Sequence, residues 1–184
     1  MKRAEMGAKA ARDSREDGSA ESGHGSFRRR EPGRWVALYL RVALGTGFLS
    51  AVADRLGLWG GPGAEGVAWG SFGRFLDYTS TLNPWLSPAL LAPVGITVTA
   101  VEVALGVALV AGWRTRPVGL TSGVLLLLFA LGMTMGTGLK STLDASVFTA
   151  SAAGLALSVL DGGAFSVDGR REPEGAQQGP VIRA

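Results

Sequence analysis

Residues 97–117 read TVTAVEVALGVALVAGWRTRP. The run has the pattern of an apolar helix, with one carboxylate, Glu102, near its middle and Trp113, Arg114 and Arg116 closing it. An acid at the centre of a membrane helix costs about 2.5–3.5 kcal/mol on insertion scales, so such a residue faces a partner or a wet cavity rather than lipid. On the face of Glu102 lie Val98, Thr99, Leu105 and Gly106, with Gly95 one turn further back. Small and hydroxyl-bearing residues around an acid mark the side that packs on other helices, because close backbone approach and interhelical hydrogen bonds drive association in lipid. The run therefore predicts an all-α membrane bundle, and the rest of the chain must supply the partner of Glu102.

Composition agrees. Of the 184 residues, 47% are hydrophobic, which is high for a soluble domain of this length. Nine of the 18 Lys and Arg and six of the 15 acids lie in residues 1–34, so the whole net charge of +3 sits there. A basic segment before a membrane helix meets anionic headgroups and fixes orientation, and no nucleic-acid partner is implied. The chain has no cysteine, which excludes disulfides, thiolate nucleophiles and CxxC relays within it.

Residues 1–34 lack apolar periodicity and read as a disordered cytoplasmic tail. The lone histidine, His24, stands between two glycines as a solvated linker residue, with no second metal ligand near it. The domain proper is predicted over 35–161, with helices at about 35–58, 88–112, 117–139 and 143–160 and a polar cytoplasmic tail at 162–184. Each of the first three is long enough to cross a hydrocarbon core of about 30 Å. Between the first two, Trp69, Phe72, Phe75 and Tyr78 recur at near-helical spacing. That spacing suits a short amphipathic helix in the headgroup region of the first outer loop. The same four aromatics are also a candidate lid over a flat ligand.

The fourth helix carries Ser146, Ala150 and Gly154 on one face and is expected to pack inside the bundle. In the third, residues 125–129 are expected to face lipid. Gly132 and Gly136 have the spacing for close helix contact, within the chain or in a homo-oligomer. Basic residues crowd the N-terminal side and the turn at Arg114 and Arg116, while the opposite connections hold only Arg74 and Lys140. The positive-inside rule then puts both termini in the cytoplasm of a multi-pass inner-membrane protein.

No catalytic set is complete in the sequence: there is no metal cluster, no Ser/His/Asp arrangement and no phosphate loop. One polar constellation remains within the predicted membrane helices, made of Arg41, Asp54, Arg55, Thr99 and Glu102. Arg41 and Arg55 are 14 positions apart and so lie within roughly 40° of one helix face. Arg41 lies about 9 Å and Glu102 about 16 Å from the inner boundary at 1.5 Å per residue, which brings them within a side chain's reach if their helices are neighbours. Arg41 is thus either the partner of Glu102 or an arginine that snorkels to the interface. Paired with a cation, Glu102 is ionised; isolated in the dry interior, it is neutral.

RVALG at 41–45, ADRLGLWG at 53–60 and EVALGVALVAGWRTR at 102–116 resemble the DoxX family of small four-helix bacterial membrane proteins. The likeness runs on through LLLLFALGM and KSTLDASVF and covers about residues 35–160. It implies four transmembrane helices in a bacterial plasma membrane and an association with thiosulfate:quinone oxidoreductase subunits and with complexes handling oxidative and thiol stress. On that footing the expected role is an accessory subunit of a quinone-linked redox system, with a quinone near Arg41, Glu102 and Thr99, an oxidoreductase subunit as partner and no covalently bound cofactor. Two other readings stay open. One is a stand-alone carrier for a small lipophilic or weakly acidic compound; the other is a membrane scaffold that holds a soluble enzyme through the basic tail.

Overall fold

The computed structural model describes residues 30–160 together with Phe165 and Val167. The chain divides at Gly33 and Arg34, and the unit considered below is Arg34–Ala184. His24 and nearly all of the two predicted tails lie outside the described residues. Residues 30–34 belong to the first helix, which starts five residues before the expected boundary.

Among the described residues the secondary structure is helix only: α1 Arg30–Arg55, α2 Phe72–Leu82, α3 Pro88–Ala111, α4 Thr115–Thr137, α5 Leu139–Asp144 and α6 Val147–Val159. Three stretches are long and apolar enough to cross a membrane: Gly33–Arg55, Pro88–Ala111 and Thr115–Thr137. The packing has the polarity that lipid demands. Val103, Val107, Leu120, Leu128 and Leu131 lie exposed on α3 and α4, while Arg41, Arg55, Glu102, Ser122 and Ser151 are buried. In water this arrangement would leave a large apolar surface exposed around buried charge, the reverse of a soluble core. The chain is accordingly a multi-pass membrane protein with an all-α bundle.

Two close crossings build the bundle. In α1 and α3, Gly45 meets Gly106: a Cβ on Gly45 would lie 2.9 Å from the Gly106 carbonyl oxygen and 2.7 Å from Val110. In α4 and α6, a Cβ on Gly154 would lie 2.7 Å from the Gly123 nitrogen and 3.1 Å from the Gly119 oxygen. Ser151 Oγ seals this crossing by donating to the Gly123 carbonyl at 2.8 Å. The small-residue contact of α4 is therefore Gly119 and Gly123 rather than Gly132 and Gly136. A Cβ on Gly132 would meet nothing within 4 Å, and Gly136 packs on Leu82 at the end of α2. Leu125 and Leu126, expected to face lipid, turn inward against the core, whereas Leu127 and Leu128 are exposed.

The turn between α3 and α4 is set by Gly112, at φ +68°, where only glycine sits without strain. Gly112 also leaves room for Arg41, whose guanidinium would lie 2.4 Å from a Cβ there. The predicted helix at 143–160 is broken. After α5 the chain turns at Ser146, in the left-handed region at φ +56°, and α6 follows with 13 residues, about 20 Å at 1.5 Å per residue. Its buried residues are Ser151, Gly154 and Leu157, with Ala150 half-buried and Ser146 exposed.

Candidate functional site

The partner of Glu102 is Arg55, not Arg41. Arg55 Nη2 donates to Glu102 Oε1 at 3.0 Å, and Nη1 donates to Oε2, a two-pronged pair with both residues at most 3% exposed. Arg55 Nη1 also donates to Thr99 Oγ1 at 3.1 Å, and that hydroxyl donates in turn to the Gly95 carbonyl at 2.8 Å. The planar guanidinium matches a carboxylate in this way, and the shared geometry fixes both side chains.

Arg41 lies elsewhere. Its Nε donates to the Leu109 carbonyl at 3.0 Å and its Nη2 to the Val110 carbonyl at 3.3 Å. These carbonyls belong to the last turn of α3, where the Leu109 oxygen also accepts from the Gly112 N–H at 3.1 Å, and a cation is favoured there by the helix dipole. The direction of side chains on a helix explains the exchange of roles. Each Cα–Cβ bond leans toward the helix N-terminus. On α1, Arg41 therefore leans toward the start of the helix and the end of α3, while Arg55 leans back into the bundle. On the antiparallel α3, Glu102 leans toward Arg55.

Asp54 stands next to Arg55 but serves the loop. Its Oδ1 accepts from the backbone N–H of Trp69 at 2.9 Å and of Gly70 at 2.8 Å, and its Oδ2 from that of Ala68 at 2.8 Å. Gly70, at φ +65°, is enclosed so tightly that a Cβ would fall 2.4 Å from the Gly61 carbonyl carbon. The clamp holds Trp69 over the ion pair. Arg55 Cζ lies 5.2 Å from the Trp69 ring centroid and 3.9 Å from that of Phe75, where cation–π attraction adds to the pairing.

The aromatics of the first long connection form one cluster. Trp69 meets Phe75 edge-on at 5.6 Å between centroids and Tyr78 at 6.1 Å, and Phe72 meets Phe75 at 5.7 Å. Ser71 caps the start of α2 by accepting from the Arg74 N–H, and α2 rests on Gly95 of α3 through Leu76, Phe75 and Phe72. Trp69 is half-buried, in contrast to Trp35, Trp59, Trp85 and Trp113, which are exposed.

Under this cluster is a largely apolar cavity of about 520 Å³. Trp69, Phe75 and Tyr78 line it, as do Arg55 and Glu102; Phe72, Asp54, Thr99 and Arg41 do not. The site therefore combines an ion pair, an aromatic roof and a void of the size that small-molecule pockets have, roughly 300–1,000 Å³. Among the described residues no group of three His, Asp or Glu side chains could hold a metal ion. Several wall residues went unread in the sequence although their spacing was there: Ala43, Gly47 and Ala51 precede Arg55 at intervals of four positions on one face of α1.

No family model, no curated protein and no solved structure matches the chain.

Proposed function

We propose that the chain is a four-span, DoxX-like membrane protein that serves a quinone-linked redox system as an accessory, ligand-holding subunit. The observation that carries this reading is the buried Arg55–Glu102 pair on the wall of an apolar cavity roofed by Trp69, Phe75 and Tyr78. A dry ion pair is costly to build, because each charge loses its hydration, so its position at a void points to use beyond helix packing. A quinone ring is flat and apolar with acceptor oxygens, and it suits an arginine and aromatic wall.

A fourth crossing by α5 and α6 is supported by Trp35 at the start of α1, which meets Phe165 edge-on at 6.2 Å. The chain thus returns to the side from which α1 leaves, and three long helices alone cannot bring it back. In this reading α2 lies at headgroup level on the outer side of a bacterial plasma membrane, and Arg114 and Arg116 face the cytoplasm.

The test is purification of the intact protein in mild detergent, followed by mass spectrometry of every protein and lipid-soluble molecule retained, with Glu102→Gln in parallel. A quinone or an oxidoreductase subunit kept by the wild type and lost by the variant is the expected result. If both preparations are folded and free of either, the redox reading fails, and transport of small lipophilic compounds by the protein alone in liposomes becomes the reading to test.

A further inference from the structure

Most glycines inside the membrane helices are explained by contact. Gly45, Gly106, Gly119, Gly123 and Gly154 sit where two backbones cross, and Gly95 receives α2. Gly47 and Gly132 are different: a Cβ at either would meet nothing within 4 Å. Glycine inside a helix is less stable than alanine, and here no close approach offsets that cost. Both residues border the cavity, so what their missing side chains preserve is its volume.

The chemistry of the wall narrows what fills that volume. Among the described residues, Arg55 and Glu102 are its only charged lining residues, and each neutralises the other; the remaining polar ones, Tyr78, Thr79 and Asn83, are uncharged. An anion placed there would lie beside Glu102 with no spare counter-charge, which a low-dielectric interior penalises heavily. One fully buried donor of the wall is left over. Arg55 Nε–H is fully buried and has no hydrogen-bond acceptor among the described residues, although both Nη groups are engaged. Buried donors without partners are rare, and an oxygen from a ligand would satisfy this one. The route in is from the side: of the lining residues, Gly47 and Ala43 on α1, Val94 on α3 and Leu128 on α4 are exposed on the surface that lipid covers.

We infer that the cavity takes an uncharged amphiphile bearing a carbonyl-type acceptor oxygen, which enters laterally from the bilayer and accepts a hydrogen bond from Arg55 Nε. The inference rests on the cavity being the ligand site of the preceding reading, but not on that ligand being a quinone or on any redox partner. Selection is by charge and by the acceptor oxygen, and Glu102 makes the site neutral.

The full-length protein in lipid nanodiscs is equilibrated with 2-dodecanone, dodecane or decanesulfonate, and bound probe is measured by mass spectrometry of washed discs against discs without protein. The ketone is expected to exceed dodecane and decanesulfonate by about tenfold, the worth of a hydrogen bond to a charged donor. Gly132→Leu and Gly47→Leu, at positions where a Cβ would meet nothing within 4 Å, are each expected to lower ketone uptake about tenfold with no loss of thermal stability. Glu102→Gln leaves the charge of Arg55 unbalanced and is expected to raise decanesulfonate uptake above that of the ketone. Equal uptake of dodecane and ketone, sulfonate on a par with ketone in the wild type, unchanged uptake in both glycine variants, or no ketone above empty discs would each overturn the inference. Ketone binding by a protein that brings no quinone or oxidoreductase from cells would leave this inference standing and remove the redox reading.

Discussion

Removal of Glu102 tests the centre of the bundle most directly. The carboxylate is 2% exposed and takes two hydrogen bonds from Arg55, which is itself 3% exposed. Glu102→Ala leaves a guanidinium with only Thr99 as a side-chain acceptor among the described residues, deep among apolar groups. Loss of one partner from such a pair costs about 3–5 kcal/mol, most of it the penalty of an unpaired buried charge. At about 1.4 kcal/mol per power of ten, that is two to four powers of ten in the folding equilibrium. Replacement of both partners, as Arg55→Met with Glu102→Leu, removes the charge altogether and is expected to fall within about 1 kcal/mol of the wild type or above it. Methionine keeps a contact with the Phe75 ring. Reversible unfolding in mixed micelles, run as a double-mutant cycle, measures all four corners. A single Glu102→Ala variant within about 1 kcal/mol of the wild type would refute the buried pair. A double variant as unstable as the sum of the singles would show that the two charges are not coupled.

Other expectations follow from particular contacts. Gly123→Ala, whose Cβ would lie 2.8 Å from the Leu155 nitrogen, is expected to lose about 1–3 kcal/mol by overpacking the crossing of α4 and α6, whereas Gly132→Ala should be neutral or stabilising; thermal unfolding in detergent compares them. Asp54→Ala frees three backbone N–H groups and is expected to release the loop at Ala68 to Gly70, read as a red shift of Trp69 emission and faster proteolysis within residues 60–67, with about 1.5–3 kcal/mol at stake for each charged hydrogen bond before water replaces it. Gly112→Ala should be destabilising by about 1–2 kcal/mol from the left-handed backbone alone and should also displace Arg41 from the end of α3, which hydrogen exchange at Leu109 and Val110 would report. Since the chain has no cysteine, single replacements test the proposed orientation, under which Glu65→Cys labels from outside intact cells and Arg114→Cys only after permeabilisation.

How much of this was legible beforehand differs from residue to residue. The acid in an apolar run at Glu102 announced a membrane helix that faces inward, because burial of charge in lipid is so costly that composition alone identifies it. Long apolar segments likewise fixed α1, α3 and α4 to within a few residues. The aromatic period of the first connection marked α2. The polar residues of the site, Arg55, Glu102, Thr99 and Asp54, all stood out as charges or hydroxyls where lipid would not tolerate them.

Which of them meet was decided only in three dimensions. Arg41 and Arg55 share a face of α1, and depth along the helices at 1.5 Å per residue favoured Arg41 as the partner of Glu102. The choice depends on the lean of side chains toward each helix's N-terminus and on the antiparallel crossing at Gly45 and Gly106, which sets α1 against α3 in one register. Glycines are similarly ambiguous in sequence. A missing side chain can admit a neighbouring backbone, as at Gly123 and Gly154, or keep a void open, as at Gly47 and Gly132, and the letter is the same. The amino-acid sequence therefore determined that this chain is helical, lies in lipid and hides a charge, since those follow from the solvation of each residue on its own. The pairing of Arg55 with Glu102, the break at Ser146 and the cavity beneath Trp69 arise from the relative placement of helices distant in sequence, and only the tertiary structure decided them.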